Sequence, residues 1–475
     1  MNAKKSKFVM VAYFIIQITV LVSAIILFSC AASREELIEK YERKEIREES
    51  CDGKDENENG LIDEGCLLWY YKFQSRNWLY SPKICSNRTI VLFSCSPSYS
   101  NEYVSSVTVY GLRLDDGKIA WQYSIRAKDC FLPLSYDHPL EVSDLDGDGK
   151  DEVIISYGQE KVLDVISCDD GKLLWSFKED GQKENHPFIF FNGPYVEDID
   201  YDGKIEIVVK RANIIDGDKL YILSWNGQIK EVYSINLTNF IILPIFKPLG
   251  GDIDGDGKKE IILLGVFQKS TTDEITETLK DKIYVIDNNI VAIDISHITG
   301  DFHAPPVAED INSDRKDEII IPFLVEIYVI DGKGNVIWNF DKVGGEILSQ
   351  PVVSDIDSDG KPEILFISRD GKIKVLNGEG KLISEYEVWK RDEIVEVGAS
   401  SLALVDIDFD GKKEIIGWTD EVFMIRNGVK VWNFIVGGPK LDFEPPLVVN
   451  DDGDFKIVVT FANRIYTLKA GKVKK

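Results

Sequence analysis

The chain is 475 residues long and strongly acidic: 55 Lys and Arg residues stand against 81 Asp and Glu residues, which gives a formal net charge of −26 at pH 7. This excess argues against nucleic-acid binding, which needs basic patches to meet the phosphate backbone. Much of the acidic excess lies in short loops that recur along the chain.

Residues 1–33 predict a membrane anchor or signal segment. Three lysines among the first seven residues precede an uncharged stretch from Phe8 to Ser33, which as a helix is long enough to cross a bilayer core of about 30 Å. Basic residues before it and acidic residues after it place the N-terminus inside and the rest outside. We favour an uncleaved transmembrane helix. Lipidation of Cys30 and a cleaved signal peptide are the alternatives, and the length of the apolar run disfavours cleavage.

Two short segments follow the anchor. Residues 34–50 are densely charged and predict a solvated helical stalk. Residues 51–66 are bracketed by Cys51 and Cys66 and resemble a short cysteine-flanked metal-binding motif of secreted surface proteins. A polar linker closed by a disulfide is the alternative for this segment. The predicted ligands of the segment are Asp55, Asn57, Asn59, Leu61 and Asp63.

An acidic loop followed by an apolar run recurs from residue 144 onward. The first copy, SDLDGDGKDEVII, places Asp144, Asp146, Asp148 and Glu152 within a few residues of one another, with Gly149 between the last two. Carboxylates this close repel one another unless a cation neutralises them, and oxygen ligands at this spacing suit Ca²⁺. An ion-free acidic turn is the alternative reading, but four more strict copies make chance recurrence a poor explanation.

The first aspartate of each loop is counted as position 1. The predicted ligand sets include the lysine at position 7, where the ligand is the backbone carbonyl. The five strict sets are Asp144, Asp146, Asp148, Lys150 and Glu152; Asp198, Asp200, Asp202, Lys204 and Glu206; Asp252, Asp254, Asp256, Lys258 and Glu260; Asp355, Asp357, Asp359, Lys361 and Glu363; and Asp406, Asp408, Asp410, Lys412 and Glu414. A sixth set, Asp310, Asn312, Asp314, Lys316 and Glu318, predicts a weaker site, because Arg315 replaces the loop glycine. With the segment at 51–66, the chain is expected to bind about six or seven calcium ions.

Two repeats depart from this pattern. Near the C-terminus Lys456 replaces the glutamate, and its ammonium group is expected to take the place of the ion. In the first repeat, Ser81, Lys83 and Cys85 align with the acidic positions, so no site is expected there.

Each repeat spans roughly fifty residues and adds a hairpin to its acidic loop. Hairpins such as ISCDDGKLLWSFKE pair two strands across a turn rich in Asp and Gly, which makes about four strands for each repeat. The predicted fold is therefore an all-β propeller of eight four-stranded blades over residues 67–475. The strand LLWYYKF, Leu67 to Phe73, is expected to complete the last blade and close the ring; seven blades with an extra sheet are the alternative.

The loops and the strands that follow them resemble the FG-GAP, or VCBS, repeats of integrin-α-like propellers. The hairpins with Trp121, Trp175, Trp338 and Trp432 are similar to those of quinoprotein-like propellers. These resemblances cover residues 67–475. They imply an extracellular propeller with calcium in the loops that join the first two strands of its blades, and tryptophans that dock neighbouring blades.

Six cysteines besides Cys30 indicate an oxidising compartment. Sequential pairing is the simplest of the connectivities. It joins Cys51 to Cys66, Cys85 to Cys95, and Cys130 to Cys168.

Three classes of function fit these features. The leading one is a membrane-tethered extracellular calcium-binding propeller that serves in adhesion, binding a protein or glycan partner. The second is a scaffold for envelope assembly, and the third is an enzyme, either a quinoprotein or a polysaccharide lyase. No catalytic motif is visible in the sequence. The chain has four histidines, which are His138, His186, His297 and His303. We favour ordinary loop or core positions for them, and a histidine-lined pocket in the central channel is the alternative.

Overall fold

The computed structural model describes residues 61–62, 65–73, 78–96, 105–127, 139–156, 163–178, 189–191, 193–213, 218–235, 240–244, 246–269, 280–287, 289–295, 298, 304–389, 401–419, 421–435, 444–461 and 463–473. Within these residues the strands form eight separate antiparallel sheets. Each sheet is one blade, so the predicted eight-bladed propeller is confirmed and the seven-bladed alternative is wrong. No helix in this part of the chain is long and apolar enough to span a membrane. The predicted anchor and stalk lie outside the described residues.

The strands follow one another blade by blade. The described residues begin with β1 (Leu61–Ile62) and β2 (Leu67–Lys72), which belong to the last blade. Blades one to four contain β3 (Trp78–Leu79), β4 (Lys83–Ile84), β5 (Thr89–Ser96), β6 (Ser105–Arg113) and β7 (Ile119–Ala127); β8 (Leu140–Ser143), β9 (Glu152–Ser156), β10 (Leu163–Ser167) and β11 (Leu173–Phe177); β12 (Ile189–Phe191), β13 (Tyr195–Glu197), β14 (Glu206–Asn213), β15 (Asp218–Ser224) and β16 (Ile229–Ile235); β17 (Phe240–Pro244), β18 (Leu249–Gly251), β19 (Glu260–Lys269), β20 (Lys280–Asp287) and β21 (Asn289–Asp294). Blades five to eight contain β22 (Val307–Glu309), β23 (Glu318–Pro322), β24 (Ile327–Ile330) and β25 (Val336–Phe340); β26 (Val352–Ser354), β27 (Glu363–Ser368), β28 (Lys372–Asn377) and β29 (Leu382–Glu387); β30 (Ala403–Val405), β31 (Glu414–Trp418), β32 (Glu421–Arg426) and β33 (Val429–Ile435); β34 (Leu447–Asp451), β35 (Asp454–Phe461) and β36 (Arg464–Val473).

Burial explains why the strand that leaves each acidic loop is a continuous apolar run. Every residue of β9, β23, β27 and β31 is buried, because these strands are covered on both faces by the neighbouring blades. The outermost strands instead alternate, as β2 does between half-buried and exposed residues. Hydrophobic clusters accordingly run from blade to blade, for example from Ile154 and Val165 of blade two to Ile207 and Tyr221 of blade three.

The ring closes as the sequence predicted. Strand β2 pairs antiparallel with β36, with Tyr70 opposite Tyr466, so a strand from the start of the propeller completes the last blade. The indole nitrogen of Trp69 in β2 donates a hydrogen bond to the carbonyl of Leu114 in blade one at 2.8 Å. The last blade is therefore fastened to the first, and the ring is not left open at its seam.

Tryptophans in the outermost strands of several blades dock those blades onto the next. The indole nitrogen of Trp121 donates to the carbonyl of Cys168 at 2.8 Å, and that of Trp338 donates to the carbonyl of Gly378 at 3.0 Å. The ring of Trp121 lies against Gly171, which has a positive φ of 68° and no room for a side chain. The predicted docking role of these residues agrees with this packing.

One disulfide corrects the predicted connectivity. Cys85 bonds to Cys168, with 6.6 Å between their Cα atoms, so the predicted pairs Cys85–Cys95 and Cys130–Cys168 are both wrong. Cys85 lies at the turn into β5, whereas Cys95 lies near the far end of that strand, opposite Trp78. Six residues of extended strand, roughly 20 Å, separate the two cysteines of the predicted pair. Cys66 is also disulfide-bonded, and its predicted partner Cys51 lies outside the described residues.

Candidate metal centres

The acidic loops join the first and second strands of six successive blades, blades two to seven. Because they connect equivalent strands, all six loops lie on the same face of the propeller. In each loop the glutamate is the first residue of the buried second strand, and it stands opposite the last residue of the first strand, as Glu152 stands opposite Ser143. The strand pairing therefore sets where the loop begins and ends.

The loop at residues 144–152 is folded around its own carboxylates. The Asp144 carboxylate accepts hydrogen bonds from the amides of Gly147 at 2.9 Å, Asp148 at 3.1 Å and Gly149 at 2.9 Å. The carboxylate of Glu152 reaches back to accept from the amide of Leu145 at 3.0 Å. These bonds curl the backbone so that the acidic side chains converge on one point.

The same bonds recur in the other loops. The glutamate accepts from the amide of the second loop residue at 3.2 Å for Glu206, 3.0 Å for Glu260, 3.2 Å for Glu318, 3.1 Å for Glu363 and 2.7 Å for Glu414. The first aspartate accepts from the amide of the sixth residue, including the amide of Arg315, which adopts the left-handed φ of 70° that glycine takes elsewhere. Arg315 therefore keeps the loop geometry, at the conformational cost expected from the sequence.

Five loops bring three acidic groups within 4.8 Å of one another, a spacing suited to one shared ion. The groups are Asp144, Asp146 and Glu152; Asp198, Asp200 and Glu206; Asp252, Asp254 and Glu260; Asp355, Asp357 and Asp359; and Asp406, Asp408 and Glu414. The loop with Asp310 is not among the groups found in the described residues, and there the Asn312 amide donates to Glu318 at 2.8 Å.

Position 5 aspartates and position 7 lysines play a different part in the loop fold. The carboxylates of Asp148, Asp202, Asp256, Asp314, Asp359 and Asp410 accept hydrogen bonds from the backbone amides of Lys150, Lys204, Lys258, Lys316, Lys361 and Lys412, respectively. Lys316 also extends to blade four, where its ammonium group donates to the carbonyl of Asp254 at 2.6 Å.

The segment at 51–66 is only partly described. Asp55, Asn57, Asn59 and Asp63 lie outside the described residues, and Leu61 begins β1 opposite Val473. The four histidines also lie outside them.

The glutamates sit where a negative charge is costly. Burial raises the pKa of Glu152 to about 7, and the carboxylates of Asp146, Asp148 and Asp144 raise it as well, while the Leu145 amide lowers it. Burial likewise raises the pKa of Glu318 and of Glu414 to about 7. A bound cation would offset this cost, because it favours the ionised carboxylates. Hard carboxylate oxygens and uncompensated negative charge therefore fit a divalent cation such as Ca²⁺.

Blades one and eight replace the loop with short turns. In blade one, the Cys85 amide bonds to the carbonyl of Thr89 at 2.9 Å, and only four residues separate the two strands. Lys83 lies within a strand, and the aligned positions form no loop. In blade eight, β34 and β35 meet at Asp452 and Gly453, and the Lys456 ammonium group bonds to Asp451 at 2.7 Å.

Two groups of charged residues were not predicted from the sequence. Lys230 and Arg426 reach into the acidic clusters of blades three and seven. A network of ion pairs also joins four blades, and it consists of Lys83 of blade one, Glu141 of blade two, Lys247 of blade four and Glu444 of blade eight. Strand pairing within a blade or closure of the ring brings these residues together. The spacing of the residues along the chain therefore does not predict their contacts.

No known family model matches the chain, and none of the curated proteins matches it. The similarity to FG-GAP repeats therefore remains a resemblance. Among solved structures, the V. cholerae biofilm matrix protein Bap1 superposes with a TM-score of 0.55 at 11% identity, over 86% of this chain and 91% of that one. Saccharomyces cerevisiae Sqt1 gives a TM-score of 0.55 at 9% identity, over 87% of this chain and 100% of that one. At this identity the similarity shows a shared propeller fold and nothing about partners.

Proposed function

We propose that this chain is a calcium-stabilised propeller that acts as a binding module outside the cell. The observation that carries the calcium assignment is the shared loop geometry, in which backbone amides hold the first aspartate and the glutamate while three acidic groups in each of five loops converge within 4.8 Å. Calcium in these loops would lock together the first two strands of each blade that carries a loop, and it would stabilise the folded state because it binds that state alone.

A thermal melt tests the calcium assignment. The full chain in detergent is melted with calcium and with a chelator, and bound metal is counted by elemental analysis. We expect calcium to raise the melting temperature and several ions to copurify. Identical melts and no bound metal would refute the assignment and leave the acidic loops as simple turns.

The exposed aromatics of the loop face support a binding role. Tyr201 and Phe409 occupy the fourth position of their loops with left-handed φ values of 55° and 60°. Their side chains are 58% and 65% exposed. A bulky residue in this conformation is unfavourable. The Phe409 ring lies 5.9 Å from the buried Phe455 ring of blade eight, but most of its surface stays exposed to solvent. A contact with a partner would explain why aromatic residues stand where other loops have glycine or serine, as at Gly147 and Ser358.

The positions of these two residues indicate the size of the partner. They belong to blades three and seven, on opposite sides of an eight-bladed ring, so no small ligand would touch both. An extended protein or glycan would. The biofilm matrix protein that shares the fold is one setting for such binding, but its low identity adds no argument about the partner.

Glycine substitution separates binding from folding. In the Tyr201→Gly, Phe409→Gly double variant we expect little change in stability, because relief of the left-handed backbone offsets the lost contact between Phe409 and Phe455. We expect weaker capture of surface proteins or glycans, measured by pull-down and on a glycan array. Ser313→Gly with Ser358→Gly is the matched control at the same loop position. Equal capture by both double variants and the unmodified chain would refute this binding face.

The proposal includes a membrane tether formed by residues 1–33, with the propeller on the extracytoplasmic side. Fractionation of the full chain and protease treatment of intact cells test it. Release of the protein from membranes by Cys30→Ser would indicate lipidation, whereas retention would indicate a transmembrane helix. Recovery of the unmodified chain from the cytoplasm would refute the tether.

A further inference from the structure

Among the described residues, the acidic loops of blades three and seven each contain a cation supplied by their own blade. In blade seven the Arg426 guanidinium group contacts the carboxylate of Asp408, and its Nε lies 3.7 Å from Glu414. In blade three the Lys230 ammonium group lies 2.7 Å from Glu206 and 3.4 Å from Asp200. Both cations therefore contact the glutamate and the second aspartate of their loops, two of the residues predicted to ligate the metal.

Strand register explains how Arg426 reaches the site. Ile415 pairs with Ile425, so Glu414 stands opposite Arg426 on the third strand of the blade. In blades two, three and six the residue opposite the glutamate is Ser167, Ser224 or Asn377. These side chains are too short to reach into the acidic loop, whereas the long arginine of blade seven extends into it.

Lys230 arrives by another route, from the outermost strand β16. The Glu206 side chain that it contacts is only 1% exposed, so the ion pair is shielded from solvent on the glutamate side. Asp408 and Glu414 of blade seven are similarly covered, at 4% and 3%. Shielded pairs interact more strongly than surface pairs, because solvent screens them less.

The loops of blades two and six provide the contrast. Within the described residues, the carboxylates of Asp144, Glu152, Asp355 and Glu363 accept hydrogen bonds from backbone amides, and no lysine or arginine contacts them. Among the contacts of the described residues, peptide dipoles alone balance this negative charge.

From this difference we infer that Lys230 and Arg426 act as tethered counter-cations, so that blades three and seven bind calcium far more weakly than blades two and six. The inference rests on the proposed calcium binding and specifies which loops carry it. Ligand charge sets affinity in oxygen sites, and a fixed positive charge beside the ion also repels it. Blades three and seven would then keep their loop geometry when calcium is removed, whereas blades two and six would loosen.

Methionine substitution removes the cation and keeps the length of the side chain. We expect Lys230→Met and Arg426→Met each to bind one more calcium ion than the unmodified chain, measured by equilibrium dialysis of the full chain in detergent. Affinity in the altered loop should rise on the order of tenfold or more. The matched controls are Lys381→Met and Arg369→Met, which remove the same charge from ion pairs outside the acidic loops.

Terbium luminescence identifies the loop that gains the ion. Tyr201 lies in the blade-three loop, so terbium bound there should be sensitised by tyrosine excitation in Lys230→Met and only weakly in the unmodified chain. The reverse substitution guards against poor folding of these variants. Ser167→Arg places an arginine opposite Glu152, and it should remove one calcium ion from a chain whose other loops are intact.

The outcomes distinguish the inference from the function on which it rests. If the unmodified chain binds calcium but none of the three substitutions changes the number of ions, the tethered cations are displaced freely and the inference is wrong, while the calcium assignment stands. If no variant binds calcium, both are wrong. A gain in the methionine variants and a loss in Ser167→Arg would support the inference.

Discussion

Replacing Glu152 by glutamine should have opposite effects on stability with and without calcium. Glutamine keeps the shape of the side chain and an oxygen that can accept from the Leu145 amide, but it carries no charge. The substitution therefore separates the charge of the glutamate from its hydrogen bond. The two conditions test whether that charge exists to bind an ion.

Without calcium, the charge of Glu152 destabilises the fold. Burial raises its pKa from 4.5 to about 7, so the folded chain holds the proton more tightly than the unfolded chain. The resulting stabilisation is full below about pH 4.5 and is lost as the pH rises to about 7. At about 1.4 kcal/mol for each pH unit, the ionised carboxylate costs roughly 3 kcal/mol above that range. In chelator at about pH 8, Glu152→Gln should therefore be more stable than the unmodified chain by up to this amount.

With calcium, the sign reverses. A loop saturated at about a thousand times its dissociation constant stabilises the fold by about 4.1 kcal/mol. Glu152→Gln loses most of this with its ligand, which outweighs the roughly 3 kcal/mol gained by removing the charge, so the variant should be less stable by about 1 kcal/mol. Melting temperatures of both proteins, in calcium and in chelator at about pH 5 and pH 8, measure the reversal. Glu379→Gln, in an exposed turn, should change little in either condition. Equal destabilisation by Glu152→Gln in calcium and in chelator would show that the glutamate serves only as a backbone cap, and would refute the reasoning.

Three further predictions concern the contacts between blades. Non-reducing peptide mapping should recover Cys85 linked to Cys168, and a peptide joining Cys85 to Cys95 would contradict that pairing. Cys85→Ser should lower the free energy of unfolding by about 2–4 kcal/mol. Gly171→Ala should destabilise the folded state by on the order of 2 kcal/mol or more, because its Cβ would lie 2.6 Å from the Trp121 ring. The control Gly149→Ala has a similar φ but nothing within 4 Å of its Cβ, so it should cost less, and equal melting temperatures for the two variants would refute the packing argument. Trp69→Ala should destabilise by about 3 kcal/mol through loss of the seam between the last and first blades, and a melt unchanged from that of the unmodified chain would show that the seam contributes nothing.

The repeat itself was predictable because its signals are local. Each acidic loop, the apolar strand after it and the hairpin lie within a short stretch of chain, and their recurrence indicated blades. The seam strand was also predictable, since LLWYYKF matches the pattern of the outermost strands and the last hairpin lacks one. For the same reason the loop carboxylates could be named residue by residue.

Contacts between blades and between strands could not be predicted in this way. Cys85 meets Cys168 because a turn of blade one lies beside the hairpin turn of blade two, and Arg426 meets Glu414 because of the register of two strands. Blades one and eight join their first two strands by short turns, and the sequence had predicted no calcium ion in either. The sequence by itself determined the eight-bladed repeat and its acidic loops, because those depend on neighbours along the chain. Only the tertiary structure decided the disulfide and the counter-cations, because those depend on neighbours in space.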